Sequence, residues 1–241
     1  MLIKEKLFGE NHSEIADIYD SLATFYKEKE DYNNAEMAYN KALNILIDIW
    51  GEMHPDVAEV YDSLALFYQE TNDIDKEEIA YLKTLEIQIE MLGYEHSDTI
   101  TTILQLATFY NEKGENYNKA EEYYLKALKL KEKKFGTNHI DIAVIYVDLG
   151  WLYLDLNDFK KSKKYLFNSL TIQKNLNDVN YWEDLAVTYI AISLFYERKK
   201  DFKKAFEYQE EVVKLNQTYL TKDDPVLLES IEYLESIKEE F

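Results

Sequence analysis

The 241-residue chain contains no cysteine. That excludes disulfides, thiolate catalysis and cysteine-based zinc sites, and it fits a reducing compartment. Only two prolines and six glycines are present, too few for the many turns of an all-β fold or for a phosphate-cradling loop. No apolar run approaches the ~18 residues that span a bilayer, and the opening MLIKEKLFGE is too charged for a secretion signal. These absences predict a cytoplasmic protein that does not bind membranes. Cations are also scarce: 27 Lys and Arg against 47 Asp and Glu leave a net charge of −20. Such a surface repels nucleic-acid backbones and suits a basic peptide or protein face. Neither Gly-x-Ser-x-Gly nor a Gly-Lys-(Ser/Thr) phosphate loop occurs. A carboxylate pair chosen from 47 acids is no ground for catalysis. The expectation is therefore no enzyme activity, no cofactor and no metal.

What is present is ordered and periodic. Hydrophobic residues make up 46% of the chain and tyrosine alone accounts for 21 positions, a composition that folds. The four histidines fall at 12, 54, 96 and 139, each three residues after a glycine (Gly9, Gly51, Gly93, Gly136). An acid follows two residues on, at Glu14, Asp56, Asp98 and Asp141. Next come Tyr19-x-x-Leu22-Ala23-x-x-Tyr26, Tyr61-x-x-Leu64-Ala65-x-x-Tyr68, Ile103-x-x-Leu106-Ala107-x-x-Tyr110 and Tyr146-x-x-Leu149-Gly150-x-x-Tyr153. A fifth copy, Tyr189-x-x-Ile192-Ser193-x-x-Tyr196, has Trp182 near the place of its histidine. This i, i+3, i+4, i+7 spacing is one face of an α-helix, with a small residue where a neighbour must approach.

A second helix follows each polar break such as Lys29-Glu30-Asp31, and carries Ala35, Tyr39, Ala42, Ile45 and Ile49 at helical spacing. Gly51, Gly93 and Gly136 are suited to a left-handed closing residue. Pro55 and Asp56 are suited to the first turn of the next helix, which puts His54 at or beside its N-cap. A metal ion needs several ligands about 2 Å away, whereas stacked helical units are displaced by ~8–10 Å. One histidine per unit therefore makes a row at the helix junctions, and its role is structural.

The pattern resembles the tetratricopeptide repeat, matched in the first unit by Tyr19, Leu22, Ala23, Tyr26, Ala35 and Tyr39. The 42-residue period and the Gly-x-x-His-Pro-Asp-Val-Ala junction at Gly51 are similar to the kinesin-light-chain subtype. The resemblance implies an all-α, right-handed superhelical solenoid of antiparallel helix pairs. Its units would span roughly 12–51, 54–93, 96–136, 139–178 and 182–221, with a Glu-rich capping helix at 224–241 and one domain over 1–241. Residues 1–9 align with the end of a second helix, a remnant of a preceding unit. Departures are Glu77 and Ser162 at the second-helix alanine, Gln209 at its aromatic, and Asp20-Ser21 or Asp62-Ser63 where kinesin light chains carry an asparagine pair.

In the resembling family the free face of each first helix lines a concave groove that holds peptides or helices. The matching positions are acidic early, at Asp17, Asp20, Glu59 and Asp62, and apolar later, at Leu66, Leu104, Val144, Val147, Trp151, Leu154, Val187, Ile190 and Leu194. An apolar stripe with a tryptophan is the chemistry of a docking surface. The expected partner is a protein or peptide with basic and apolar segments, such as an amphipathic helix. Burial of the same stripe against the array is the competing expectation. A self-associating homodimer, or the sensor arm of a larger multidomain protein, are the alternative functions.

Overall fold

A computed structural model describes residues 12–114 and 116–240. The expected helical remnant at 1–9 lies outside them. Within these residues eleven α-helices and one 3₁₀ turn are present, and no strand. Five pairs follow one another: α1 (Ser13–Glu28) with α2 (Tyr32–Trp50), α3 (Pro55–Thr71) with α4 (Ile74–Leu92), α5 (Ser97–Lys113) with α6 (Tyr117–Phe135), α7 (Ile140–Asp155) with α8 (Phe159–Leu176), and α9 (Trp182–Arg198) with α10 (Phe202–Tyr219). The 3₁₀ turn Val179–Tyr181 precedes α9, and α11 (Pro225–Lys238) closes the array. Among the described residues no helix is long and apolar enough to cross a membrane.

The junction histidines are N-caps. Nδ1 of His12, His54, His96 and His139 accepts the backbone N–H two residues on, at 3.2–3.3 Å. That requires an unprotonated Nδ1, and it satisfies one of the donors a helix start leaves orphaned. Two of the rings also stack on the aromatic that ends the preceding helix, His54 on Trp50 and His139 on Phe135. The fifth junction has no such cap: Tyr181 precedes α9 without a side-chain hydrogen bond. The glycines before the histidines correct the sequence expectation. Gly51, Gly93 and Gly136 combine φ of 77–83° with ψ close to 180°, which is not left-handed α but the mirror-extended region open essentially to glycine alone.

Within each pair the turn is built the same way. One residue takes a left-handed φ: Glu30, Asn72, Gly114, Asn157 and Lys200. In units one, two, four and five the next residue is aspartate, whose N–H returns to the carbonyl of the last motif tyrosine (Asp31 to Tyr26, Asp73 to Tyr68, Asp158 to Tyr153, Asp201 to Tyr196, 2.8–2.9 Å). Its carboxylate then caps the second helix by accepting the N–H three residues on. One aspartate thus closes a helix through its backbone and opens the next through its side chain.

Contacts divide the chain into two compact units, one ending at Phe109 and one beginning at Tyr110. In the first, Ala23, Ala35, Ala42 and Ala65 have no exposed surface, so the helices meet nearly backbone to backbone at the positions where the motif demands a small residue. Tyr39 and Tyr81 from the second helices pack against Phe67 and Phe109 of the following first helices. In the second unit the core gathers Leu154, Leu166, Leu170, Tyr189, Ile192, Phe195 and Val212. Ser162, which stands where units one, three and five have alanine, donates to the Gly150 carbonyl at 2.9 Å, so its hydroxyl is buried with a partner.

A three-residue latch ties consecutive pairs. The Tyr68 hydroxyl donates to Glu36 Oε1 at 2.8 Å, and Lys76 Nζ reaches the same oxygen at 2.9 Å while lying over the Tyr68 ring. The second unit repeats it: Tyr153 donates to Glu121, and Lys161 reaches Glu121 at 3.3 Å and lies over the Tyr153 ring. The Lys76 ammonium holds the Glu36 carboxyl below its usual range. Burial, then the Glu36 carboxylate, pushes the Tyr68 phenol well above its own.

Candidate binding clefts

At two places a first helix, the second helix of its pair and the next first helix line a cleft. In the first unit α1 contributes Asp17, Asp20 and Ser21, α2 supplies Leu46 as the floor, and α3 contributes Asp56, Glu59, Val60 and Ser63, around a cavity of about 250 Å³. Three expected groove residues, Asp17, Asp20 and Glu59, are therefore brought together. None of the three carboxylates has a lysine or arginine within ion-pair distance among the described residues. Burial, then the Asp17 charge, raises the Asp20 carboxyl. Burial, then Asp56, Asp17, Asp20 and Asp98, raises Glu59. Oδ1 of Asp20 and of Asp62 are buried without a hydrogen-bond partner. Asp62 lies one pair further along; burial raises it and a hydrogen bond from Gln105 lowers it. Leu66 is exposed and Leu104 half-buried on the same helix faces.

A second cleft lies 170 residues on in register, between α9, α10 and α11. Ile190, Asn216, Val226, Glu229, Ser230 and Tyr233 line it at the places of Asp20, Leu46, Asp56, Glu59, Val60 and Ser63. It is larger, about 400 Å³, and apolar. The same geometry is thus furnished with acid at one site and with aliphatic side chains at the other.

The apolar stripe expected for the later units splits. Val144 (38% exposed) and Val187 (47%) face outward. Trp151, Ile190 and Leu194 are partly buried against the core. Val147 (5%) and Leu154 (0%) belong to the core itself, and they are removed from the groove. The physical reason is that α9 packs over α7, and an aliphatic side chain turned toward that seam gains more from burial than from exposure. The groove edge beside them is self-paired: Arg198 donates to the Leu154 carbonyl at 2.8 Å and to Asp155 at 3.0 Å. Lys27 pairs with Glu70 in the first unit at 3.2 Å.

Sequence reading missed Asp148. It stands on α7, partly accessible but surrounded by protein, with no hydrogen-bond or ion-pair partner among the described residues. Burial alone pushes its carboxyl up to about 7. An acid inside Tyr146-x-x-Leu149 was the available signal. Among the described residues no group of three His, Cys, Asp or Glu is placed to hold a metal ion.

A sequence model of the tetratricopeptide repeat matches residues 14–90 and 98–175, and a second one matches 186–219. The chain belongs to the tetratricopeptide repeat family. Several solved structures share this repeat fold. BtubC (BKLC) from P. vanneervenii is 25% identical, with a TM-score of 0.71 over 86% of this chain and 81% of that one. A putative kinesin light chain from Podosopora anserina with nearly identical TPR-like repeats is 16% identical, TM-score 0.72, over 86% and 97%. A signal transduction ATPase from Pyrococcus horikoshii with a tetratricopeptide repeat sensor is 22% identical, TM-score 0.73, over 94% of this chain and 33% of that one. No curated protein matches in sequence.

Proposed function

We propose that this tetratricopeptide repeat chain is a recruitment scaffold that binds a protein or peptide through its inter-helix clefts, with a basic segment of the partner entering the cleft between α1 and α3. The observation that carries this reading is the set of carboxylates of Asp17, Asp20 and Glu59 around one cavity without a cationic partner among the described residues, Asp20 half-buried and the other two exposed. Like charges gathered around one cleft raise the free energy of the empty site. A lysine or arginine side chain relieves that repulsion and supplies the missing hydrogen bonds. The exposed Leu66, Val144 and Val187 offer apolar contacts beside the first helices. The fold family is generally one of non-catalytic, protein-binding scaffolds.

Selection of a peptide-display library tests the reading. The native protein should enrich Lys- and Arg-rich sequences. The affinity of the best peptide should fall about tenfold or more in Asp17→Asn/Asp20→Asn/Glu59→Gln, and fall again with added salt. Equal enrichment by native and variant proteins would reject the acidic cleft as the docking site. A tight dimer with no enriched peptide would favour self-association instead.

A further inference from the structure

We infer that the cleft between α9, α10 and α11 takes the side chain of one lysine, supplied by a protein or peptide partner. It rests on the binding reading above only for the source of that lysine.

Elsewhere in the chain lysine and tyrosine meet in one repeated way. Lys76, Lys119, Lys161 and Lys204 lie over the rings of Tyr68, Tyr110, Tyr153 and Tyr196, with Nζ 4.4–5.1 Å from the ring centre. In two of these cases the lysine also reaches the glutamate that accepts the tyrosine hydroxyl, Glu36 for Tyr68 and Glu121 for Tyr153. On the last helix a tyrosine–glutamate pair recurs without its cation. The Tyr233 hydroxyl donates to Glu197 at 2.6 Å, joining α11 to α9, and Tyr233 is part of the cleft wall. Among the described residues no lysine or arginine pairs with Glu197 or lies over the Tyr233 ring. The adjacent cations are committed elsewhere, Arg198 to the Leu154 carbonyl and Asp155, and Lys199 over Phe159 and Phe195.

The cleft offers the two kinds of surface that a lysine needs. Ile190, Leu194, Val212 and Val226 wall a cavity of about 400 Å³, against which the methylenes of a lysine stem leave water. Its polar groups await a donor. Glu229 lines the cleft and is exposed, with no cationic partner among the described residues. Asn216 lines it from α10 and is only 3% exposed, and its carboxamide has no hydrogen-bond partner among the described residues. A buried amide left unmatched costs free energy. No bond fixes which end is which, so Oδ1 is free to face an incoming N–H. The matching cleft of the first unit has Leu46 at the place of Asn216 and Asp20 at the place of Ile190, so floor and wall have exchanged polarity. Acceptors from α9, α10 and α11 suit the three tetrahedral donors of an ammonium better than the planar fork of a guanidinium. A carboxylate guest would meet Glu229 with its own sign, and a hydrocarbon guest would leave Asn216 unmatched.

Three blocked amino acids are the probes: Nα-acetyl-lysine N-methylamide, its norleucine counterpart, which lacks the ammonium, and its Nε-acetyl-lysine counterpart, which lacks the charge. Each is titrated into the full chain and followed by methyl NMR. The lysine probe is expected to shift the Ile190, Leu194 and Val226 methyls. It should bind about fivefold more tightly than either neutral probe at low salt, and the preference should shrink as salt is added. Glu197→Gln/Glu229→Gln removes both charges while Gln at 197 still accepts the Tyr233 hydroxyl, so lysine should fall to the level of norleucine. Asn216→Leu, the residue that unit one carries at this place, should narrow the preference about twofold. Equal binding of the three probes, shifts confined to methyls away from the cleft, or an unaltered lysine preference in the double variant would each overturn the assignment. Asp17→Asn/Asp20→Asn/Glu59→Gln should leave these shifts as they are, so the two proposals fail separately.

Discussion

At the scale of single residues, the five intra-pair turns are an internal substitution experiment. All five place one residue at a left-handed φ; two use asparagine and one glycine, while Glu30 and Lys200 adopt it with long side chains. A Cβ in that region meets the carbonyl oxygen at a cost of about 1 kcal/mol, which asparagine partly escapes. Lys200→Asn should therefore raise stability by about 0.5 kcal/mol in urea unfolding, without the extra unfolded-state freedom that glycine would bring. The histidine caps give the opposite sign. His54→Ala removes the acceptor for the Asp56 N–H and the stack on Trp50, and should cost ~1 kcal/mol, whereas His54→Asn, itself a good cap, should recover most of the loss.

At the scale of helices, the latch decides how pairs hold register. Removing the Tyr68 hydroxyl (Tyr68→Phe) gives up a hydrogen bond to a charged group, about 1.5–3 kcal/mol. Lys76→Met should cost less, ~0.5 kcal/mol, because that ion pair is about half exposed and water screens it. Urea midpoints should rank the variants in that order. Glu36 has a folded-state pKa below its unfolded one, so its contribution is present above the unfolded carboxylate range and disappears as pH falls through the lowered value. Much at this scale is legible in the sequence, because a 42-residue period, Tyr-x-x-Leu-Ala-x-x-Tyr blocks and Pro55 are statements about local spacing. The split of the apolar stripe is not. Val144 and Val147 are both valine on one helix, and only the arrival of α9, far along the chain, makes the second a core residue. Gln209 is intermediate: its departure from the repeat is visible in one line of sequence, but that its amide is buried and donates to the Ser230 carbonyl of α11 is not.

At the scale of the whole molecule, acidity sets the response to pH. Asp20, Glu59, Asp62, Asp148 and Asp184 all have raised carboxyls, with burial as the largest cause in each. A folded-state pKa above the unfolded value means that the protonated form favours the native state. The stabilisation is complete below about pH 4 and is lost as pH rises through the folded value, about 7 for Asp148. Opposed by the Glu36 latch at low pH, this predicts greatest stability in mild acid and a melting temperature that declines between about pH 5 and 8. Asp148→Asn should flatten that decline and raise stability at pH 8, on the order of a few kcal/mol. Melting curves of the two proteins across that range check it, and parallel declines would show that Asp148 is not the group responsible.

The turn between α5 and α6 is the one that differs in length. Tyr110 and the capping Asn116 are six residues apart, where Tyr26 and Asp31, Tyr68 and Asp73, Tyr153 and Asp158, and Tyr196 and Asp201 are five. Yet Asn116 still caps α6, accepting from Lys119 at 3.2 Å. The repeat thus accommodates one more residue there with its cap intact. An epitope tag or a split-reporter fragment spliced beside Gly114 should leave the array folded, which makes that turn the place from which to watch this protein meet its partner in a living cell.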